Sequence, residues 1–182
     1  MTAVTVHTQP SPLGELLVAT TPEGVCLVDW GDHDVAARRL ADRFGGPVRY
    51  SRSRSIAGRD LDSFFAGKLR SFTVPLDLTG VSAFLRRVLE RLAAVPFGEL
   101  TTYGSLARAV RSAPRAVGQA VGSNPVPVRV PCHRVIAADG TLGGFGGGLE
   151  RKRILLALEG HEPLSGGWAL RRGVAPPLAR VR

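Results

Sequence analysis

Cysteine is scarce in this chain. The 182 residues include only two cysteines, Cys26 and Cys132. Secreted folds stapled by disulfides and metal sites built mainly from thiolates need more of them. The histidines also lack the paired spacing of a zinc site; they are His7, His33, His133 and His161. The sequence therefore predicts no disulfide framework, no metal and no cofactor. Each cysteine is left to be explained as a core residue or as a nucleophile.

Long hydrophobic runs are also missing. No apolar stretch approaches the ~20 residues that span a bilayer, although 44% of the residues are hydrophobic, as in a globular protein. The first ten residues have neither a basic start nor an apolar core, so they do not resemble a signal peptide. We therefore expect a cytoplasmic monomer with no membrane partner.

Lysine is rare, and acidic residues are absent from one long segment. Residues 1–80 hold nine basic and nine acidic residues, whereas residues 81–182 hold fifteen basic and six acidic ones. Residues 101–135 contain five arginines and no acid. A general preference for arginine explains 22 Arg against two Lys, but it does not explain the missing acids. Because one-sided positive charge attracts polyanions, the second part is a candidate nucleic-acid-binding region.

The first part of the chain alternates short apolar runs with weakly helical segments. Apolar spacing predicts helices over residues 34–44 and 56–65, each followed by glycine. Short apolar runs bounded by turn residues predict strands. These strands are residues 4–7, 16–20, 25–30 and 72–76. The pattern indicates a mixed α/β domain.

Helical spacing dominates from Ser82 onwards, and Ser82 suits the cap of the first helix. Residues 103–110 and 114–122 are predicted to form two short helices joined by a tight turn. Such a pair is either a helix-turn-helix or an ordinary helical hairpin, and spacing alone does not decide between them. The positive charge favours the helix-turn-helix. Three side chains near one face of its second helix are Arg115, Gln119 and Ser123.

Three regions follow from these patterns. Residues 1–80 form the α/β domain, and residues 81–162 form a helical domain. The helical domain includes a glycine-rich loop over residues 140–148 and a final helix over residues 150–158. Residues 163–182 show no periodicity and are expected to be an irregular tail.

One short segment places a thiol beside a base. It is Pro131-Cys132-His133-Arg134-Val135. A thiol is a useful nucleophile only as the thiolate, so it needs a nearby base or positive charge. His133 and Arg134 offer both, and Glu159 at the end of the final helix is a candidate to orient the histidine. Side chains of neighbouring residues need not touch, so a purely structural role for Cys132 and His133 remains an alternative at this point.

Further motifs surround this segment over residues 84–160. They are Pro96-Phe97-Gly98, Thr102-Tyr103-Gly104, Arg115-Ala116-Val117-Gly118, Asn124-Pro125, Gly147-Gly148-Leu149, Lys152, Leu155-Leu156 and Glu159-Gly160. Weaker matches in the first part are Ser11-Pro12-Leu13-Gly14 and Phe64-Phe65-Ala66-Gly67. Together, and in this order, these motifs resemble the O6-alkylguanine-DNA alkyltransferase family.

The resemblance implies a fold and a partner. It implies an α/β amino-terminal domain similar to ribonuclease H and a mainly α carboxyl-terminal domain with a winged helix-turn-helix. The second helix of that motif would enter the minor groove of double-stranded DNA carrying alkylated guanine. The damaged base would flip out of the stack, and Arg115 would fill its place. The positions implied to contact DNA are Thr102, Arg115, Ala116, Gly118 and Ser123.

The resemblance also implies a reaction. Cys132 would accept an alkyl group from O6-alkylguanine, and from O4-alkylthymine, in one irreversible turnover. His133 would take the thiol proton through a water molecule while Glu159 holds the imidazole. Asn124 would tie together the turn that carries the nucleophile.

The same resemblance implies the contacts to the base. The Tyr103 hydroxyl would donate to the guanine ring, and the Gly146 N–H would donate to the alkylated oxygen. The carbonyls of Cys132 and Val135 would accept from the exocyclic amine. Pro127 and Phe145 would line the pocket for the alkyl group.

The sequence departs from the family pattern at several positions. Phe145 replaces the usual tyrosine, Gly146 replaces a small hydroxyl residue, and Glu90 replaces an aromatic residue before Pro96. Some relatives bind zinc in the first domain, but the matching stretch here has no ligand set. Two other classes of protein remain as alternatives. One is a damage-binding protein of the same fold without a reactive cysteine, and the other is a cysteine hydrolase.

Overall fold

The computed structural model describes residues 2–162 and separates into two compact units. The first unit extends to Val81 and also takes in Pro125–Pro127. The second contains Ser82–Asn124 and continues from Val128. The tail expected over residues 163–182 lies outside the described residues.

The first unit is built on a four-stranded sheet with the strand order β3-β2-β1-β4. The strands are β1 (Val4–Gln9), β2 (Leu16–Thr21), β3 (Gly24–Asp29) and β4 (Val48–Tyr50). The first three pair antiparallel in chain order, and β4 pairs parallel to β1. Along β1, buried Val4 and Val6 flank exposed Thr5, as expected for a strand with one covered face.

Two helices complete this unit, and both lie where the sequence predicts them. They are α1 (His33–Phe44) and α2 (Ile56–Phe65). The Asp32 carboxylate caps α1 by accepting from two backbone N–H groups, and Gly45 ends the helix in the left-handed conformation at φ 63°. The buried side of α1 joins the β1 and β2 side chains in one hydrophobic cluster.

The strand predicted over residues 72–76 is wrong. Only Leu76 forms an isolated bridge, to Val25. The Asp60 carboxylate instead binds the N–H groups of Thr73 and Val74, at 2.7 and 3.0 Å. Pro75 has no N–H to donate, so this stretch cannot supply a regular ladder. The short strand β4 was not predicted.

The second unit is mainly helical, with one small parallel strand pair. Its helices are α3 (Ala83–Ala93), α4 (Tyr103–Ala109), α5 (Pro114–Gly122) and α6 (Leu149–Leu158). The strands are β5 (Thr101–Thr102) and β6 (Val135–Ile136), which pair in parallel. Helix α5 packs on both α3 and α4. The predicted fold class, with an α/β part and a mainly helical part, is confirmed.

Helices α4 and α5 are joined by a tight turn. Thr102 caps α4 by accepting from the Ser105 N–H at 3.1 Å. Arg111 in the turn has a positive φ of 54°, which reverses the chain direction. Pro114 then occupies the first turn of α5, where its missing N–H is no loss. Within residues 2–162, no helix is both long enough and apolar enough to cross a bilayer.

Candidate active site

Cys132 begins a single 3-10 turn, Cys132–Arg134, immediately before β6. The turn is held from both sides. The Cys132 N–H donates to the Val130 carbonyl at 2.8 Å, and the Asn124 side chain donates to the same carbonyl at 2.9 Å. Asn124 also hydrogen-bonds the Cys132 side chain. The thiol therefore has a fixed position, with 6% of the residue exposed.

A cavity of about 130 Å³ opens on Cys132. Its walls come from α4, α5, the 3-10 turn and the glycine loop, so all of them belong to the second unit. The lining residues are Tyr103, Gly118, Val121, Gly122, Cys132, Gly144, Phe145 and Gly146. Pro127 is buried, groups with the first unit and is not among these lining residues.

Glycines let the backbone approach Tyr103 closely. A Cβ on Gly143 would lie 3.2 Å from the Tyr103 ring, and Gly143 has a φ of +63° that side chains rarely adopt. The Tyr103 hydroxyl donates to the Gly144 carbonyl at 3.4 Å. Gly118, which the sequence assigns to the DNA-binding face, also lies beside this ring and lines the cavity.

His133, Arg134 and Glu159 form one buried network. His133 Nε2 lies 2.7 Å from Glu159 Oε1. Arg134 donates to both oxygens of the same carboxylate, through Nη2 at 2.8 Å and Nε at 2.9 Å. The Gly98 N–H completes the set at 2.9 Å. His133 and Glu159 are 0% and 1% exposed, so water does not screen these contacts.

The ionisation states in this network follow from burial and pairing. Burial alone raises the pKa of Glu159, but the hydrogen bonds from His133 and Arg134, together with the Arg134 charge, outweigh it and lower that pKa to about 2. Burial lowers the pKa of His133, and the Glu159 charge opposes it only partly, because Arg134 already neutralises that carboxylate. His133 is therefore neutral and donates from Nε2, which leaves Nδ1 as the basic nitrogen. Nδ1 has no hydrogen-bond partner among residues 2–162.

The two cysteines have different surroundings. Burial raises the pKa of Cys132 to about 11, opposed by the Asn124 hydrogen bond and the Lys152 charge. Burial raises the pKa of Cys26 to about 12; this residue lies in β3 with its thiol donating to the Ala19 carbonyl at 3.4 Å. Cys132 is thus a thiol at rest, and its proton must leave during any reaction.

The contacts that two residues make in this site were not predicted from the sequence. Arg134 was expected to lend positive charge to the thiol, but its guanidinium binds Glu159 and the Val95 carbonyl instead. Lys152 was noted only as part of a motif. It is 0% exposed and donates to three backbone carbonyls, one of which belongs to Gly144 in the cavity wall. The one available signal was that it is one of only two lysines beside 22 arginines.

The residues expected to contact DNA lie on or beside α4 and α5. Arg115 and Ser123 are exposed, and Ala116 is partly buried. Ser123 donates to the Gln119 carbonyl at 3.0 Å at the end of α5. Thr102 serves as the cap of α4. In the described part of the chain, no three His, Cys, Asp or Glu side chains lie close enough together to hold a metal ion.

Family models match both units. The description "6-O-methylguanine DNA methyltransferase, ribonuclease-like domain" matches residues 4–78. The description "6-O-methylguanine DNA methyltransferase, DNA binding domain" matches residues 83–161 and so includes Cys132, His133 and Glu159.

Individual relatives match over most of their length. A methylated-DNA–protein-cysteine methyltransferase of Mycolicibacterium paratuberculosis is 42% identical over 159 residues, covering 83% of this chain and 96% of the relative. A protein of the same name from Mycobacterium leprae is 50% identical over 157 residues, covering 85% and 92%. Among solved structures, Mycobacterium tuberculosis OGT in complex with DNA matches with a TM-score of 0.73 and 38% identity, covering 85% of this chain and 91% of that one.

Proposed function

Because this chain belongs to the O6-alkylguanine-DNA alkyltransferase family, and repairs DNA directly by moving an alkyl group onto a cysteine, we propose that Cys132 is the acceptor. The transfer occurs once per molecule, because water does not cleave the thioether product. The partner is double-stranded DNA that carries alkylated guanine.

The contrast between the two cysteines carries this proposal. Cys132 opens on a cavity and precedes a histidine whose second nitrogen is bound to a carboxylate. Cys26 lies 0% exposed in the core of the first unit. A nucleophile needs a route for its substrate and a base for its proton, and only Cys132 has both.

The chemistry begins with the proton. The Cys132 thiol gives its proton to His133 Nδ1 through a water molecule, while Glu159 holds the opposite nitrogen. The thiolate attacks the alkyl carbon and forms the C–S bond as the C–O bond breaks. The electron pair of that bond goes to the guanine oxygen. The guanine ring takes up one proton from water, and His133 returns the thiol proton to water, so the protons balance. Asn124 keeps the thiol in line by fixing its turn.

The base is recognised by groups around the cavity. Tyr103 donates to the guanine ring, and the Gly146 N–H donates to the alkylated oxygen. The carbonyls of Cys132 and Val135 accept from the exocyclic amine, and Phe145 packs on the alkyl group. The O4 atom of alkylthymine presents the same C–O bond, so it is a second substrate of the same site.

The remaining assignments concern the whole chain. Helix α5 enters the minor groove, and Arg115 replaces the flipped base. Four further residues approach the DNA backbone around the flipped base: Thr102, Ala116, Gly118 and Ser123. Residues 1–80 and 81–162 act as the two domains of a monomer. We place the protein in the cytoplasm, where a reactive thiol stays reduced.

A matched pair of cysteine variants tests the proposal. After incubation with duplex containing methylated guanine, Cys26→Ala should carry one methyl group on Cys132, located by peptide mapping. Cys132→Ala should bind the same duplex and carry none. A methyl group on Cys26 in the unaltered chain would remove Cys132 as the acceptor. Repeated release of methyl product without an adduct would indicate a hydrolase.

A further inference from the structure

Lys152 is the one lysine of this site, and it lies in α6, which starts directly after the glycine loop. Its ammonium donates to the Val135 carbonyl at 2.6 Å, to the Gly144 carbonyl at 3.2 Å and to the Leu142 carbonyl. No carboxylate in residues 2–162 pairs with it, and burial lowers its pKa to about 8. A buried ammonium without a counter-ion is costly, so a function for it is worth seeking.

The three acceptors belong to two separate segments that border the cavity, and Gly144 is the one among them that lines it. Val135 opens β6, directly after the turn that carries Cys132. Leu142 and Gly144 belong to the glycine loop, and Gly144 also accepts from Tyr103. One side chain therefore joins the strand after the nucleophile to the loop that carries Phe145 and Gly146.

The donor geometry explains why this residue is a lysine. An ammonium has three tetrahedral N–H groups, and three carbonyls converge on it here. A guanidinium directs its donors outward in one plane and cannot satisfy three acceptors that meet at a single point. A neutral amine has only two N–H groups, so all three contacts require the charged form.

We propose that Lys152 is a positioning residue for base recognition, holding the Val135 carbonyl and the glycine loop at the separation that the alkylated base requires. This proposal rests on the proposed function. It assigns Lys152 to the recognition of the base rather than to the activation of the thiol. The same Val135 carbonyl holds Lys152 with one lone pair and can accept from the exocyclic amine with the other.

The test separates recognition of the base from reactivity of the thiol. Lys152→Met keeps an unbranched side chain, one heavy atom shorter, and removes all three donors. Its single-turnover transfer from O6-benzyl-2′-deoxyguanosine should fall by about tenfold to a hundredfold, because small misplacements of reacting groups have effects of that size. The half-saturating concentration should rise more than the maximal rate falls. Alkylation of Cys132 by iodoacetamide needs no base recognition, so it should lose only the help that the Lys152 charge gives to the thiolate and should fall clearly less than transfer does.

The chain supplies its own control. Lys68→Met makes the same chemical change at an exposed position of the first unit and should alter neither rate. If Lys152→Met does not fold, Lys152→Arg keeps the charge but not the donor geometry, and its transfer should again fall more than its iodoacetamide reaction.

Equal losses in both reactions would overturn the proposal, since Lys152 would then act on the thiol or on the fold. Unchanged transfer would overturn it as well. The position of the benzyl adduct is mapped in each variant. An adduct away from Cys132 would contradict the assignment of the acceptor, independently of any effect of Lys152.

Discussion

At the scale of single residues, the site depends on how one carboxylate is shared. Glu159 accepts from His133, Arg134 and the Gly98 N–H at once. Arg134 keeps the carboxylate charged in a buried position, and Glu159 in turn fixes the His133 tautomer. The buried pair is thus both part of the fold and the support for the base that takes the Cys132 proton.

Glu159→Gln should slow transfer at neutral pH by about a hundredfold, the lower range of what positioned acid–base groups contribute. Without the carboxylate charge, the protonated form of His133 is less stable, so His133 is a weaker base for the thiol proton. Thiolate must then form by direct loss of the proton to water, so the rate should keep rising towards high pH. The measurement is single-turnover transfer as a function of pH.

Arg134→Gln is the matched control for that variant. It breaks the same buried ion pair, so both variants should lose about 3–5 kcal/mol of unfolding free energy. It leaves the Glu159 charge available to His133, so the neutral-pH rate should be largely retained while the fold holds. Similar rate losses in the two variants would mean that Glu159 contributes only to stability.

Pocket width is also decided at single residues. Gly122 and Gly146 are exposed beside the cavity and present no side chains. An apolar wall discriminates by only ~1–3 kcal/mol per methylene-sized difference. We therefore expect the protein to accept alkyl groups from both benzylated and methylated guanine.

Gly146→Trp should lower the transfer rate of the benzyl group more than that of the methyl group, because the indole extends into the space that Gly146 leaves open. Gly146→Ala is the control. Its Cβ would lie 3.8 Å from the Gly122 carbonyl, an ordinary contact, so both substrates should still react. Single-turnover rates are compared for the two alkyl groups. An unaltered chain that reacts with methylated but not benzylated guanine would contradict this view of the pocket.

At the scale of elements, α4 and α5 present the DNA face while the turn before β6 presents the thiol. Arg115 is the second residue of α5 and is exposed. Gly118, one turn further along, lines the cavity. The same short helix therefore faces both the proposed DNA and the pocket for the flipped base.

Arg115→Ala should reduce repair of methylated duplex by about tenfold or more, because extruding a base costs a few kcal/mol. Transfer from the free benzylated nucleoside needs no extrusion and should be unchanged. Arg108→Ala removes the same charge from α4 and should affect duplex repair only through weaker, salt-dependent binding. Equal losses of Arg115→Ala on both substrates would make Arg115 a structural residue.

The elements also show where sequence reasoning succeeds and where it stops. Helices α1 and α2 were predictable because cap, apolar spacing and terminating glycine agree over ten or more residues. Strand β4 is only three residues long and depends on pairing with β1, which no local pattern reveals. The strand predicted over residues 72–76 failed because the Asp60 side chain takes backbone donors that spacing assigns to a sheet.

Within the site, local chemistry was predictable and long-range pairing was not. The Cys132-His133 segment and Glu159 were expected to act together, and they do meet in the structure. The preference of Arg134 for Glu159 over the thiol, and the contacts of Lys152 with carbonyls of β6 and the glycine loop, depend on how α6 packs.

At the scale of the whole molecule, charge and chemistry are on the same part of the chain. The +9 net charge comes entirely from residues 81–182, since residues 1–80 hold equal numbers of acids and bases. Every residue that lines the cavity lies in the second unit. DNA affinity should accordingly fall steeply as salt rises, because counterion release dominates such binding.

The central claim is that the whole molecule is consumed by one transfer to Cys132. Intact-protein mass spectrometry after mixing with an excess of methylated duplex tests it most directly, combined with peptide mapping and with the amount of repaired DNA. The account predicts one methyl group per chain, located on Cys132, and one repaired guanine per molecule of protein. Repair that exceeds the amount of protein, or a methyl group on any other residue, would contradict it.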